Sequence, residues 1–589
     1  TLANFGKDFQ KDLDRGFVSP ESFLGFKRRS GLPELLRGFL ENVFEPGCGL
    51  LRPNPCIECI QSVRQITLMW AKLKQPCTDE RRRRAFTKYM ERENHVQSVA
   101  LGILEEHLFN DGSLRPALLR MHSRRASRLD EESTRILRFR SMSSRLFGDI
   151  FSQIDRKVFR GEIVPNHGPG SVSERLSGNQ KWSRGEWNFK LESMFPFSEY
   201  YFSRWSFYMD RVSAHEPSDA PIPVRVIGVP KTHDKPRIIA IEPTAMQYMQ
   251  QGIKRLFEEM FEQPNLHGKL NYSYHFVNYQ SQLPNQQLAL KGSIDGSLAT
   301  LDLSDASDSV SNLLVENLFW NFPHLREAVQ VTRSSNADVP GYGVIPLAKF
   351  ASMGSALCFP IEALVFCTVV FLGIEEHLNR TLTDKDFKSF IGQVRVYGDD
   401  IIVPVEFARS VSASLKLFGF EVSPNKSFMN GLFRESCGQD CYAGESVNIV
   451  RLRQPLPTKR RQTESIIATV SFRNQLYKAG YWATVRELDA LIERLIPFPA
   501  VNDGAVTLGK VSFLGYESQR WDSNLQRPLV RAAVPIYKKR KSPLDGERAL
   551  TKWFFFKKAA TSIDAILEKD HLLYAGRPVA VDIKHRWVH

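Results

Sequence analysis

Three aspartates in this chain could do chemistry together if the fold brings them onto one another. Two are adjacent, in Tyr397-Gly398-Asp399-Asp400, and the third is Asp302 in the run Leu301-Asp302-Leu303-Ser304-Asp305-Ala306-Ser307-Asp308-Ser309. Neighbouring carboxylates raise one another's pKa unless a cation lies between them, so such a cluster suits a hard divalent metal. Three carboxylates around two Mg²⁺ ions form the cradle that in-line phosphoryl transfer uses to stabilise its attacking and leaving oxygens. On its own, Gly-Asp-Asp is also the composition of a solvated turn. The reading depends on the elements that position the acids.

Those elements are legible in the pattern. The β-branched runs Val394 to Val396 and Ile401 to Val403 flank a Gly-Asp step, which predicts a hairpin with both acids at its tip. Leu298 to Leu303 reads as a strand with Asp302 near its end. Strands about a hundred residues apart bring their acids together only as neighbours in one sheet.

Other segments carry candidate partners. Val229-Pro230-Lys231-Thr232-His233-Asp234-Lys235-Pro236-Arg237 sets cations on a Pro-stiffened loop, which suits a triphosphate and is also an ordinary solvated loop. Ser352-Met353-Gly354-Ser355 opens the apolar stretch Ala363 to Ile374; it could receive a template base or a ribose, or simply turn the chain into a packed helix. Lys426, after the short strand near Phe420 to Val422, could donate a proton to a leaving pyrophosphate or be a surface lysine. Phe433-Arg434-Glu435-Ser436-Cys437-Gly438 predicts a tight turn.

The 589 residues are 42% hydrophobic and 24% charged, which is the composition of a multi-lobed globular enzyme. Against 65 acidic residues stand 79 Lys and Arg, a formal +14 with a pI near 9.3, which favours a polyanionic partner. Basic clusters occur at Arg81 to Arg84, at Arg124-Arg125 with Arg128, at Lys459-Arg460-Arg461 and at Lys538 to Lys541. Singly each is a solvated face; together they suggest phosphate contacts spread over a large surface.

Ala363 to Ile374 is too short to span a bilayer and reads as a buried helix. Eight dispersed cysteines suit reduced thiols, and the helical period from Cys59 to Leu73 favours core thiols over a zinc site at Cys56 and Cys59. No signal-peptide pattern opens the chain, which starts at Thr1. The absence of a Gly-x-x-x-x-Gly-Lys-Ser/Thr loop argues against a nucleotide-driven motor.

Residues 1 to about 160 alternate amphipathic helical patterns with Arg-rich stretches, and Ser123 to Asp155 reads mainly as helix. The Gly/Pro/Ser-rich passage His167 to Trp182 is a linker or a loop that touches template or nucleotide. From about Pro221 to Val450 short strands alternate with helices, and beyond a basic linker one helix is expected from about Glu464 to Leu495.

Taken in order, these motifs resemble those of viral RNA-directed RNA polymerases, and above all the replicase catalytic subunits of single-stranded RNA bacteriophages, the levivirus group. The likeness is carried by Gly296-Ser297-Leu298-Ala299-Thr300 running into Asp302-Leu303-Ser304, by Ala306-Ser307-Asp308-Ser309, Ser352-Met353-Gly354, the Tyr-Gly-Asp-Asp hairpin with Ile401-Ile402, and Leu432 to Gly438. It is firm over about residues 220 to 450. The resemblance implies an α+β right-hand polymerase with fingers, a palm carrying an antiparallel sheet, a thumb, and helix-rich N- and C-terminal parts. The implied divisions are a helix-rich region with part of the fingers at 1–160, fingers with the basic loop at 161–295, palm at 296–450, and thumb with the C-terminal region at 451–589.

By the family pattern Asp302, Asp399 and Asp400 correspond to ligands of two Mg²⁺ ions, for which Mn²⁺ could substitute, with Lys426 alongside. Asp308 would lie near the incoming ribose, and Lys231, Lys235 and Arg237 near the triphosphate. Ser352, Gly354 and Ser355 would line the nucleotide site, although the loop lacks the Thr and later Asn that many such enzymes use for the ribose. Asp305 replaces a small neutral residue and has no assigned role. The resemblance also implies an RNA template and product strand, ribonucleoside triphosphates, host translation proteins, no membrane, and work in the cytoplasm of a bacterial host. The rivals are a reverse transcriptase-like polymerase and a non-catalytic RNA-binding palm protein. Ser304 to Ser309 lacks the bulky aromatic that reverse transcriptases usually place after the first metal aspartate.

Overall fold

The computed structural model describes residues 1–588 except 76, 111–133, 177, 184–185, 210–221, 232–235, 267, 538–542 and 560–579. Arg124, Arg125, Arg128, Lys235 and the Lys538 to Lys541 cluster therefore lie outside the described residues. The rest is a mixture of helix and sheet.

The acids' sheet has three antiparallel strands, in the order Arg395–Tyr397, Asp400–Pro404, Leu298–Asp302. Its central strand is buried from Ile401 through Pro404, consistent with an uninterrupted β-branched run covered on both faces. Against it packs the apolar helix Cys358–Leu378, whose residues are buried continuously from Cys358 to Ile374 apart from the half-buried Phe359. By length and composition it could cross a membrane, yet 89% of its apolar window is buried inside the protein. A helix apolar all round needs neighbours all round. It finds them in the sheet, the helix Ala408–Leu417 and the helix Arg135–Phe159. The last of these buries Ile136, Phe139, Met142, Leu146, Phe147, Ile150, Phe151, Ile154 and Val158 at helical spacing, and its Thr134 caps Leu137 N–H.

A second sheet runs in the order Pro236–Ile241, Val224–Pro230, Asn336–Val339, Gly343–Pro346 and carries the basic loop at the tip of its first hairpin. The N-terminal helix Leu2–Arg15 buries Phe5, Phe9 and Leu13 and ends at Gly16 in the left-handed conformation. It packs with Phe428, Phe433 and Tyr442, more than four hundred residues later in the chain.

The His167 to Trp182 passage is held as structure. His167 meets Trp182 edge-on and packs at a tilt against Tyr248, while the buried Lys181 ammonium donates to the carbonyls of Gly168, at 2.7 Å, and Gly170. The helix expected from Cys59 to Leu73 runs over Ile57–Leu68. None of the eight cysteines is joined in a disulfide.

The C-terminal part departs from a helix-rich expectation. The single helix expected over Glu464 to Leu495 is two, Thr463–Lys478 and Trp482–Glu493, broken at Gly480, whose φ of 83° places it in the left-handed region. They pack on an antiparallel sheet of Arg520–Asp522, Arg527–Tyr537 and Ala580–Val588.

Candidate active site

The predicted hairpin is present. Tyr397 pairs with Asp400, leaving Gly398-Asp399 as a two-residue turn, and Gly398 has φ 60°. A Cβ on Gly398 would meet the Phe359 ring at 2.7 Å, so the turn fits tightly on the start of the apolar helix. Asp302 ends the neighbouring strand in direct register with Asp400. Directly opposed residues in an antiparallel pair have their side chains on one face of the sheet, about 5 Å apart at Cβ.

Electrostatics link all three acids. Burial first, then the charges of Asp399 and Asp302, raise Asp400 to about 6 against hydrogen bonds from Cys437. Burial also raises Asp302; Lys426 pulls it down while Asp399 pushes it up. The Lys426 ammonium lies 2.7 Å from Asp302 Oδ2. Burial lowers the Lys426 pKa, but Asp302, Glu435 and Asp399 raise it more, so its proton is firmly held.

Among the described residues no three His, Cys, Asp or Glu side chains are closed around one point as a metal cage. The donor set nevertheless fits a hard divalent ion: all ligating atoms are carboxylate oxygens, two of the groups have raised pKa values, and the cation holding Asp302 is an exchangeable lysine.

The turn after Lys426 supports this corner from below. Phe433–Ser436 and Gln439–Tyr442 form a hairpin whose turn residues Cys437 and Gly438 both have positive φ. The buried Arg434 donates through Nε to Leu298 O, tying this hairpin to the Asp302 strand. Arg64 pairs with Asp440 at 2.6 Å, fully buried, and joins the N-terminal region to the same hairpin.

Asp308 lies in a cluster that sequence reasoning missed. Lys349, with no exposed surface, places Nζ 3.2 Å from Asp308, 3.4 Å from Glu93 and 3.3 Å from the centroid of the Tyr89 ring. The Tyr89 hydroxyl is 3.1 Å from Ser352 Oγ, so Asp308 and Ser352 belong to one network. The available signal was a lysine set among apolar residues, Leu347-Ala348-Lys349-Phe350, just before the small-residue loop. Its partners Glu93 and Tyr89 sit on the long helix Asp79–Asn110. That helix also supplies Lys88, 2.5 Å from Asp305, and Arg92, which reaches Asp305 and Glu421. Asp305 thus has helix cations as partners.

The small-residue loop docks on the basic hairpin. Ala240 N–H donates to Met353 O at 2.9 Å, and the Ser355 hydroxyl donates to Gln250 Oε1 at 3.1 Å. Gly354 has φ 137°, and a Cβ there would fall 1.9 Å from Ala240 O. Gly354→Ala should therefore separate loop from strand and lower stability by about 1–3 kcal/mol or more, measurable as a fall in the denaturation midpoint. Lys231 is near enough to Asp302 to lower its pKa. Arg237 is exposed and paired in register with Val229, and among the described residues no hydrogen bond or ion pair joins it to the acids.

The Pro236–Ile241 strand leads into Glu242, buried and accepting from Ser334 Oγ at 2.8 Å. Burial lifts its pKa from 4.5 to about 7, against hydrogen bonds from Ser334 and Gln250 and the charges of Arg333 and Lys190. Between those two values the folded chain holds a proton that the unfolded chain has lost, so stability falls as pH rises from about 4.5 through about 7. Glu242→Gln should remove that fall, seen by comparing thermal midpoints of the two proteins across the window.

Of the basic clusters, Arg82 and Arg84 form local ion pairs with Asp79 and Glu80 on the exposed start of their helix, as a solvated face would. Arg460 lies 3.3 Å from His585 Nε2.

The three acids, Lys426, Asp308 and Lys349 fall in one region recognisable in other proteins, whereas Glu93 and Tyr89 lie outside it. Residues 221–485 match the RNA replicase, beta-chain family. The replicase-like region is 34% identical over 233 residues to the RNA-directed RNA polymerase beta chain of Escherichia phage MS2, covering 39% of this chain and 38% of that one. It is 31% identical over 261 residues to the RNA-directed RNA polymerase subunit beta of Escherichia virus Qbeta, covering 44% and 39%. The matched stretch therefore spans about two-fifths of these relatives. The likeness to phage replicases read from the motifs is borne out by these matches. Among solved structures, a BmCPV RNA-dependent RNA polymerase aligns at 11% identity with a TM-score of 0.35, covering 57% of this chain and 30% of that one. A chain described as an RdRp complex aligns at 12% identity with a TM-score of 0.33, covering 57% and 31%.

Proposed function

We propose that this protein is an RNA-directed RNA polymerase that copies a single-stranded RNA phage genome from ribonucleoside triphosphates. The observation that carries the reading is Asp302 in register with Asp400 beside the Asp399 turn, inside the replicase-like region. Folding alone gives no reason to set three mutually repelling carboxylates at one corner.

In this reading the sheet of the acids is the palm, residues 296–450, with fingers from 161–295 and part of 1–160, and a thumb from 451–589. The 3′-hydroxyl of the growing strand attacks the α-phosphate, and pyrophosphate leaves. Asp302, Asp399 and Asp400 would hold two Mg²⁺ ions, or Mn²⁺ in their place, which when bound lower the pKa of the attacking hydroxyl and neutralise the triphosphate. Lys426, freed from Asp302, would protonate the departing pyrophosphate; leaving that carboxylate removes the largest influence raising its pKa, and burial then favours release of the proton. Lys231, with Lys235 and Arg237, would meet the triphosphate. Asp308, oriented by Lys349, would meet the ribose, with Ser352, Gly354 and Ser355 shaping the same side.

Template pairing supplies sequence choice, so the protein need hold only backbone and shape. The same reading takes host translation proteins as partners and the cytoplasm of the bacterial host as the place of work. A reverse transcriptase-like activity and a non-catalytic palm are separated from this reading by one assay. On a primed RNA template with Mg²⁺, ribonucleotides should be incorporated at least tenfold faster than deoxyribonucleotides. Equal rates would favour reverse transcription, and no incorporation of either would favour the non-catalytic reading.

A further inference from the structure

A cavity of about 580 Å³ opens between the helices Asp79–Asn110, Arg135–Phe159, Asn312–Leu318 and Pro323–Val331. Lys88, which touches Asp305, and Leu104, which lines the cavity, are sixteen residues apart on one helix, or roughly 24 Å at the helical rise. The volume is that of a small-molecule site.

The cavity's wall is unusual in charge. Trp320 is half exposed, with the Arg140 guanidinium 3.5 Å from its ring centroid and that of Arg326 at 5.6 Å. Arg140 is fixed by a 2.6 Å bond from Nε to Asn317 Oδ1. Burial first and Arg326 second make the Arg140 cation less favourable, so the two guanidiniums repel. Among the described residues neither has a carboxylate within ion-pairing reach. Glu316 and Glu327 also line the cavity, with Glu316 Oε1 accepting from Asn312 at 2.9 Å.

An indole face, the guanidinium N–H groups of Arg326 and those of Arg140 beyond the Nε bonded to Asn317, and lining carboxylates make up the chemistry that reads an unstacked guanine. The base stacks on an aromatic ring or a guanidinium plane, its O6 and N7 accept from an arginine fork, and its N1 and N2 hydrogens need an acceptor. An acidic peptide would satisfy the arginines but leave Glu316 facing like charge.

We infer that the Trp320 cavity is an accessory site for a guanine base, presented by single-stranded RNA or by a free guanine nucleotide. The inference rests on the reading of the chain as an RNA-handling protein but requires no polymerase activity.

The test uses the full chain with its cleft filled by excess primed template, and follows the anisotropy of a fluorescent tetraguanylate. The wild type should bind it more tightly than a tetraadenylate, and Trp320→Ala should weaken binding roughly tenfold to a hundredfold. Arg326→Gln should weaken it and narrow the preference for guanine. Extension of a short primed template should be unchanged in both variants. Competition by guanosine monophosphate identifies a nucleotide site, whereas competition by the oligonucleotide alone identifies an RNA-strand site. Equal affinity in the wild type and both folded variants, or loss of all binding when the cleft is filled, would overturn the inference. If no protein extends a primer while guanine binding persists, the polymerase proposal fails and this one stands.

Discussion

Asp399→Asn should cut ribonucleotide incorporation about a thousandfold, on the scale of losing one preorganised electrostatic contact to a transition state, while RNA affinity changes less than about twofold. Asparagine keeps the size of the side chain and suits the turn, so the Tyr397–Asp400 pairing should survive. What disappears is the charge that acts on both Asp302 and Asp400. Without it the site should hold divalent cation more weakly, and Asp400 should ionise more easily in the metal-free protein. RNA affinity should persist because, in the proposed reading, cationic side chains would contact the RNA phosphates. Single-turnover extension of a primed template gives the rate, and titration with an unextendable template gives the affinity. A rate within tenfold of the wild type would show that Asp399 does not act at the reacting centre.

The second large effect is expected at a residue that touches no substrate. Lys349→Met should destabilise the protein by about 3–5 kcal/mol, because it leaves Glu93 and Asp308 facing one another without their buried cation. Burial alone would lower the Lys349 pKa, but Asp308, Tyr89 and Glu93 raise it above the ordinary value, so the cation is held by its surroundings. Adding Glu93→Gln should recover part of the loss. Lys349→Arg should recover little, since the site has no spare surface for a planar guanidinium. A purely structural role would stop there. If Lys349 also orients Asp308 toward the ribose, the folded fraction of the double variant should show a raised KM for ribonucleotides and weaker discrimination against deoxyribonucleotides. Denaturant unfolding and steady-state kinetics on the same preparations separate the two contributions.

What the sequence disclosed and what it hid follow from the range of the interactions. The hairpin was legible because a Gly-Asp step between β-branched runs is a local signal, and the buried helix because an unbroken apolar run admits few alternatives. The register of Asp302 with Asp400 could be only conjectured, since it depends on which strands become neighbours. The Lys349 cluster was hidden because Lys349 and Glu93 are 256 residues apart, and no periodicity records such a pairing. The C-terminal sheet escaped for the same reason: Val530 pairs with Val588 across an intervening helix. The break in the C-terminal helix was readable at Gly480, since glycine readily takes the left-handed conformation that ends a helix.

The most direct measurement is a crystal structure of the protein soaked with Mn²⁺ and a non-hydrolysable ribonucleoside triphosphate, with the ion located by its anomalous signal. The account expects Mn²⁺ bound by Asp302 together with the Asp399-Asp400 turn, and the Lys426 ammonium moved from Asp302 Oδ2 toward the phosphates. An ion bound elsewhere, or a site that stays empty with Lys426 still on Asp302, would contradict it.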